Sequence, residues 1–146
     1  MEINYLINYG KNNSVFADAF SIRVKVFCKE QSIPFQNELD EFDDSSYHQV
    51  IYANNIPIAC GRMNIADHNE SRICRVAVLK GHRRHGYASE ICNNFICLSR
   101  ELRVKFIFLH AQLYVVSLYE KLGFVSDDKC FLEEGIPHTY MLLKLE

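Results

Sequence analysis

Nowhere in the 146 residues do apolar side chains run on for the roughly 18 positions that a membrane-spanning helix needs, and the opening MEINYLINYGKNN lacks a basic stretch followed by an apolar one. Neither export nor membrane insertion is therefore expected. An excess of one charge is also missing: 16 Lys and Arg stand against 18 Asp and Glu, a net charge of -2. This excludes the basic surface of a whole-chain nucleic-acid binder, so an anionic partner has to be held by a local cluster. No Cys-x-x-Cys pair occurs among Cys28, Cys60, Cys74, Cys92, Cys97 and Cys130. Four of these lie in apolar runs, where a free thiol behaves as a small hydrophobe, which favours free thiols over a zinc site and a reduced, cytoplasmic setting. Linkers, low-complexity tracts and internal repeats are absent too, so a single domain over residues 1–146 is expected. What the chain does contain is 49% hydrophobic residues, with 10 Phe and 8 Tyr, enough to build a packed core.

Apolar periodicity and turn residues divide that material into elements. Asn13-Ser14 reads as an N-cap, and Phe16, Ala19, Phe20, Ile22, Val26 and Phe27 recur at helical spacing behind it, so an amphipathic helix is expected to end before Pro34. Residues 37–46 carry Glu38, Asp40, Glu41, Asp43 and Asp44 with few apolar neighbours and read as an acidic, solvated loop. Two β-rich stretches, 49–53 and 56–65, flank Asn54-Asn55, a pair that tolerates positive φ and suits a two-residue hairpin turn. A strand at 73–79 follows, and beyond Gly86 a helix carries Ala88, Ile91, Cys92, Phe95, Leu98 and Leu102 on one face. Residues 106–109 read as a short buried strand, 115–122 as a helix closed by Gly123, and 140–145 as a last strand. The resulting order is α, β, β, β, α, β, α, β.

The segment with the clearest chemistry is Lys80-Gly81-His82-Arg83-Arg84-His85-Gly86-Tyr87-Ala88, between a strand and a helix. A glycine-containing basic loop at a helix N-terminus brings backbone N–H groups, the helix dipole and full side-chain charges onto one anion. It reads as a seat for phosphate or pyrophosphate, although a solvated helix entrance has the same composition. The Gly-Lys-Ser/Thr ending of a Walker loop and the three-glycine dinucleotide fingerprint are both missing.

Arg83-x-x-Gly86-x-Ala88, behind a strand reading Arg75-Val76-Ala77-Val78, resembles the acetyl-coenzyme A motif of the GNAT superfamily of N-acetyltransferases. Leu118-Tyr119-Glu120-Lys121-Leu122-Gly123-Phe124 resembles the second signature of that superfamily, in the right order and at the right spacing. Val26-Phe27 with Glu30-Gln31, Glu38-x-Asp40-x-x-Asp43, His48, His110-Ala111-Gln112 and Gly135-Ile136-Pro137-His138 are similar to its small bacterial ElaA-like branch, so the likeness covers nearly the whole chain. The resemblance implies an α/β (α+β) fold: a mixed central sheet, splayed between strands four and five and flanked by helices. It implies acetyl-coenzyme A as cosubstrate and no metal. The pantetheine arm would lie along Val76, Ala77 and Val78, and the pyrophosphate would meet Arg83, Arg84, His85, Gly86, Tyr87 and Ala88, with Gln112 and Lys121 completing that site. Gln112 and Val115 stand where the family usually has Asn and, three residues on, Ala, a departure that bears on the pocket's shape.

Acetyl transfer to an amine needs a neutral nucleophile, a donor for the oxyanion and a proton for the departing thiolate. The resemblance gives the last role to Tyr119, whose phenol has an ordinary pKa of about 10; packing beside Leu118 and Leu122 is the alternative. The backbone N–H of Val78 is the expected oxyanion donor. His48, His110 and His138 compete as base, since an imidazole titrates close to neutrality. His110 is preferred, because it ends the strand that the fold points toward the thioester. Glu38 and Asp40, with His48 and His138, are left to the acceptor site, where carboxylates suit a cationic amine. The expected function is acetyl transfer from acetyl-coenzyme A to a primary amine, small molecule or peptide, by direct attack. The aromatic content leaves room for a homodimer interface. A non-catalytic acyl-coenzyme A binding or sensing module is the alternative; an acyl-homoserine-lactone synthase fits less well, because those chains are usually longer.

Overall fold

In the computed structural model, which describes residues 1–67 and 69–145, Asn13 caps the first helix, α1 (Ser14–Arg23). Its backbone is extended and its Oδ1 accepts the Phe16 N–H at 2.9 Å. The helix widens into a π-helical stretch, Val24–Glu30, and the chain has left it before Pro34 opens a single turn, α2 (Phe35–Glu38). Asn54 and Asn55 both adopt positive φ, 50° and 67°, and reverse the chain between β2 (Ser46–Ala53) and β3 (Ile56–Ile65) in two residues. β4 (Glu70–Val78) leads into the basic loop and α3 (Tyr87–Glu101), and β5 (Phe106–Gln112) leads into α4 (Val116–Lys121).

Three strands have no counterpart in the sequence reading. β1 (Ile3–Tyr9) runs antiparallel along β2 as an edge strand. Only Ile3 and Ile7 turn partly inward from it, and two apolar contacts four residues apart make no strand pattern. β6 (Val125–Ser126) and β7 (Phe131–Glu133) are too short for one, while β8 begins earlier than periodicity suggests and spans Ile136–Lys144. The sheet order is β1-β2-β3-β4-β5-β8-β6, with β7 also on β8; among the described residues β4–β5 is the parallel pair, and the rest are antiparallel.

Side-chain alternation sends successive strand residues into two cores. Val50, Tyr52, Cys60 and Ala77 face α1, packing on Val15, Ala19 and Ile22, whereas Ile51, Ala53, Ala59 and Met63 face α3, packing with Ile91, Cys92 and Phe95. A sheet covered on both faces explains why Val50-Ile51-Tyr52-Ala53 in β2 and Ile58-Ala59-Cys60 in β3 are apolar without alternating. None of the helices among the described residues is long and apolar enough to cross a membrane.

β3 and β4 meet across a bulge, where Cys60 pairs with Ala77 and Arg62 with Cys74, leaving Gly61 opposite both Arg75 and Val76. Arg75 takes a positive φ of 55° there, so the bulge bends β4 in the middle. α3 crosses so close to this bend that a Cβ on Gly61 would lie 2.4 Å from Ile91 Cγ2 and 3.1 Å from Phe95 Cε2. Gly61→Ala is accordingly expected to destabilise the fold by roughly 1–3 kcal/mol through overpacking. A thermal melt coinciding with wild type would show that Ile91 yields without cost.

Candidate active site

β4 and β5 stay paired only at Glu70–Phe106, Ser71–Ile107 and Arg72–Phe108, then part, β4 remaining on β3 and β5 on β8. Beyond that point the facing backbone edges of residues 73–78 and 109–112 line a cleft of about 870 Å³. Unpaired N–H and C=O groups at such an edge call for partners, and an extended amide chain can supply them. Leu79 N–H donates to the Ile58 carbonyl at 2.9 Å, which makes Val78 and Ala59 a non-hydrogen-bonded pair. The N–H and C=O of Val78 therefore point away from β3 and into the cleft. Arg83 Nε donates to that carbonyl at 2.8 Å, while the N–H stays open.

The basic loop closes one end of the cleft. Arg84 and Gly86 both adopt positive φ, 66° and 81°, and α3 begins with no side chain capping its first turn. Its leading N–H groups thus face outward beside Arg83, Arg84, Gly86, Tyr87 and Ala88, all of which border the cleft together with Val76 and Ala77. Arg83 Nη2 also donates to Glu30 at 2.8 Å. Gln112 reaches across the opening from the end of β5 and its Nε2 donates to Gln31 at 3.0 Å.

Tyr119 stands on the wall of the cleft, 9% exposed, with its ring edge-on to Phe124 at 6.0 Å. Its hydroxyl has no hydrogen-bond partner among the described residues and is not sealed off. Burial, then the neighbouring Cys92, Tyr114 and Cys74, pushes the phenol well above its ordinary value, so it holds its proton. His110, Glu133 and His138 meet at the other side. His110 Nδ1 lies 2.9 Å from Glu133 Oε1 and 3.1 Å from Arg72 Nη2, and Phe131 packs edge-on to the His110 ring.

The acidic run departs from expectation. Glu38 and Asp43 are 2% and 0% exposed, because three arginines from other segments match them. Arg23 donates to Glu38 and Asp43, each at 2.7 Å; Arg62 donates to Asp40 and Asp43 at 2.7 and 2.9 Å; Arg75 donates to Glu38 and Asp40 at 2.9 and 3.2 Å. Glu38 and Asp40 do border the cleft, but with their charges balanced. His48 does not reach it: the ring is buried behind this network, edge-on to Phe16, with Nε2 2.8 Å from the Asp43 carbonyl. His85 and Lys121 are exposed and stand outside the cleft lining. Conversely, sequence reasoning passed over Arg72, Cys74 and Glu133, all on the cleft wall. The signal for Glu133 was the Glu134-Gly135 pair, whose φ values of 52° and 73° turn the chain back in a tight hairpin.

Comparison with known proteins agrees with this geometry. Residues 14–145 match a family model described as an acetyltransferase (GNAT) domain. The chain is 35% identical over 133 residues to the uncharacterized N-acetyltransferase YjcF of Bacillus subtilis, covering 90% of this chain and 94% of that one. Escherichia coli ElaA shares the fold with a TM-score of 0.87 at 22% identity, over 98% of this chain and all of that one (100%). A Bacillus subtilis acetyltransferase in complex with CoA shares it with a TM-score of 0.72 at 14% identity, over 99% and 100% of the two chains.

Proposed function

Given that the chain belongs to the GNAT acetyltransferase family, we propose that it transfers acetyl from acetyl-coenzyme A to a primary amine by direct attack. One observation carries this reading: the open edges of β4 and β5 run from the uncapped start of α3 straight to Tyr119 and His110. The residues fit the coenzyme at both ends. N–H groups at residues 84–88 would receive the pyrophosphate, and the edge at Val76 with the carbonyl of Val78 would receive the pantetheine amides, leaving the Val78 N–H free. The bound coenzyme supplies an acetyl thioester.

The chain's own groups meet the three demands of the reaction. Val78 N–H, pointing into the cleft, donates to the acetyl oxygen as negative charge gathers there. His110 removes a proton from the amine, and Tyr119 donates its proton to the departing sulfur. As the C–N bond forms, the C–S bond breaks and the thiolate leaves as thiol. Release of free thiol from acetyl-coenzyme A over a panel of amines tests the reading against a module that only binds the coenzyme. Amine-dependent release supports transfer, and coenzyme binding without it supports the module.

Gly86→Asp probes the loop directly. Nothing lies within 4 Å of a Cβ placed at Gly86, but its φ of 81° strains any side chain, so Gly86→Ala, which carries that strain without the charge, is the control for a negative charge set where the pyrophosphate would lie. Coenzyme A binding to the Asp variant is expected to weaken by roughly a hundredfold or more in calorimetry. Wild-type affinity in that variant would move the phosphate site elsewhere.

A further inference from the structure

Charge matching around the cleft leaves one carboxylate in an unusual setting. Glu38, Asp40 and Asp43 are balanced by Arg23, Arg62 and Arg75, and Glu30 by Arg83. Glu133 instead projects from the end of β7 between two imidazoles, and among the described residues only the Arg72 guanidinium brings a full positive charge near it, 3.9 Å from Oε1. On one side its Oε1 is 2.9 Å from His110 Nδ1; on the other its Oε2 is 3.7 Å from His138 Nε2. His138 is 6% exposed and its Nδ1 lies 2.6 Å from the Ile136 carbonyl, which accepts the proton on that nitrogen. In the neutral ring Nε2 is then an acceptor. Two acceptors, a carboxylate oxygen and an imidazole nitrogen, thus face each other at 3.7 Å, an arrangement that repels unless a donor bonds to both.

We propose that Glu133 Oε2 and His138 Nε2 are the seat of the acceptor's ammonium group, and that the other oxygen of Glu133 positions His110 as the base. This rests on the acetyl-transfer reading. A primary ammonium carries three N–H donors and a positive charge, and so meets both acceptors at once. Glu134, next along the hairpin, adds a second negative charge beside the cleft. On the opposite side the Glu133 carboxylate is held ionised, first by its hydrogen bond to His110, against the cost of burial, and further by the charge of Arg72. Two groups compete at His110 Nδ1, the Arg72 guanidinium, which only donates, at 3.1 Å and the ionised carboxylate, which only accepts, at 2.9 Å; the shorter contact puts the proton on Nδ1 toward Glu133, and Nε2 then carries the lone pair. That nitrogen has no partner among the described residues and is not sealed off. The seated ammonium gives one proton to His110 Nε2. Its freed electron pair then forms the bond to the acetyl carbon as the C–S bond breaks and Tyr119 protonates the sulfur, and the extra proton still on the nitrogen returns to the phenolate left on Tyr119. The seat discriminates by chemistry: it takes a primary ammonium and refuses a quaternary one, which has charge but no N–H.

The test uses the whole chain labelled with 15N-histidine and saturated with coenzyme A, titrated with n-propylammonium chloride and, in parallel, with its N-trimethyl analogue. His138→Asn identifies the His138 resonance. The expected result is a shift of His138 Nε2 with propylammonium, none with the quaternary analogue, and about tenfold weaker binding in Glu133→Gln. Glu133 is 41% exposed, so that variant is expected to keep the wild-type melting temperature. No His138 response in wild type, an equal response to the quaternary ion, or unchanged affinity in Glu133→Gln would each overturn the seat. Calorimetry of coenzyme A on the same samples separates the two readings. Loss of coenzyme binding with a Glu133-dependent propylammonium response removes the transferase reading alone, and the reverse removes the seat alone.

Discussion

Tyr119→Phe is expected to lower kcat for acetyl transfer by about a hundredfold or more, with the coenzyme Kd and melting temperature near wild type. The separation follows from what each part of the side chain touches. Its ring packs in the core against Phe124, and Phe preserves that contact. Its hydroxyl bonds to nothing among the described residues, so deleting it breaks no structural hydrogen bond. What disappears is a proton that burial keeps on the oxygen of a side chain lining the cleft. Tyr119→Ala is a different experiment: it also empties ring volume from the core and is expected to destabilise by about 3–5 kcal/mol. Steady-state kinetics, calorimetry and melting of both variants check the pair. An unchanged kcat in the Phe variant would remove Tyr119 from the chemistry and leave it as packing.

Arg23→Met should cost about 3 kcal/mol of stability, more than a surface ion pair is worth, because two buried carboxylates lose the guanidinium they share and keep one cation each, Asp43 on Arg62 and Glu38 on Arg75. Arg23 is 1% exposed and sits over the Phe20 ring at 5.3 Å while donating to Glu38 and Asp43. Met keeps much of the apolar volume, so the loss reports charge rather than a cavity. Adding Glu38→Gln and Asp43→Asn to the variant should recover part of the stability. The network also carries a pH signature. Burial alone would push the Asp43 carboxyl up, but hydrogen bonds and charge from Arg23, with Arg62 behind it, hold it at about 2. Its folded pKa is therefore below its unfolded value near 3.9, and it contributes roughly 2 kcal/mol above that pH, lost as the pH falls toward about 2. With Met at position 23 the carboxyl rises and the acid-side decline begins at a higher pH. Melting curves across the acid range check both effects; a melting temperature equal to wild type at neutral pH would show that water or another cation replaces the guanidinium.

Elements governed by their own few residues were legible from the sequence. Asn13 caps α1, Asn54-Asn55 turns a hairpin, and the apolar stripe of α3 lies where its period puts it. The loop before α3 was legible for the same reason, since positive φ at Gly86 and bare N–H groups at a helix start are local properties. Distant charge pairing was not. Asp43 reads as solvated among acidic neighbours, and only the fold brings Arg23 and Arg62, 20 and 19 residues away in the chain, onto its carboxylate. The splay of β4 from β5 likewise needs the sheet order and a bulge opposite Gly61, neither of which any single strand encodes. His110 and His138 stand out as residue types, but their common partner Glu133 arrives through a hairpin that folds back on β8, 23 residues beyond His110. Local sequence determined the caps, turns and helix faces, because their energies come from neighbours three or four positions apart. The tertiary structure decided which charges are spent on one another and which are left to face a substrate, because that depends on contacts between segments that only the completed sheet brings together.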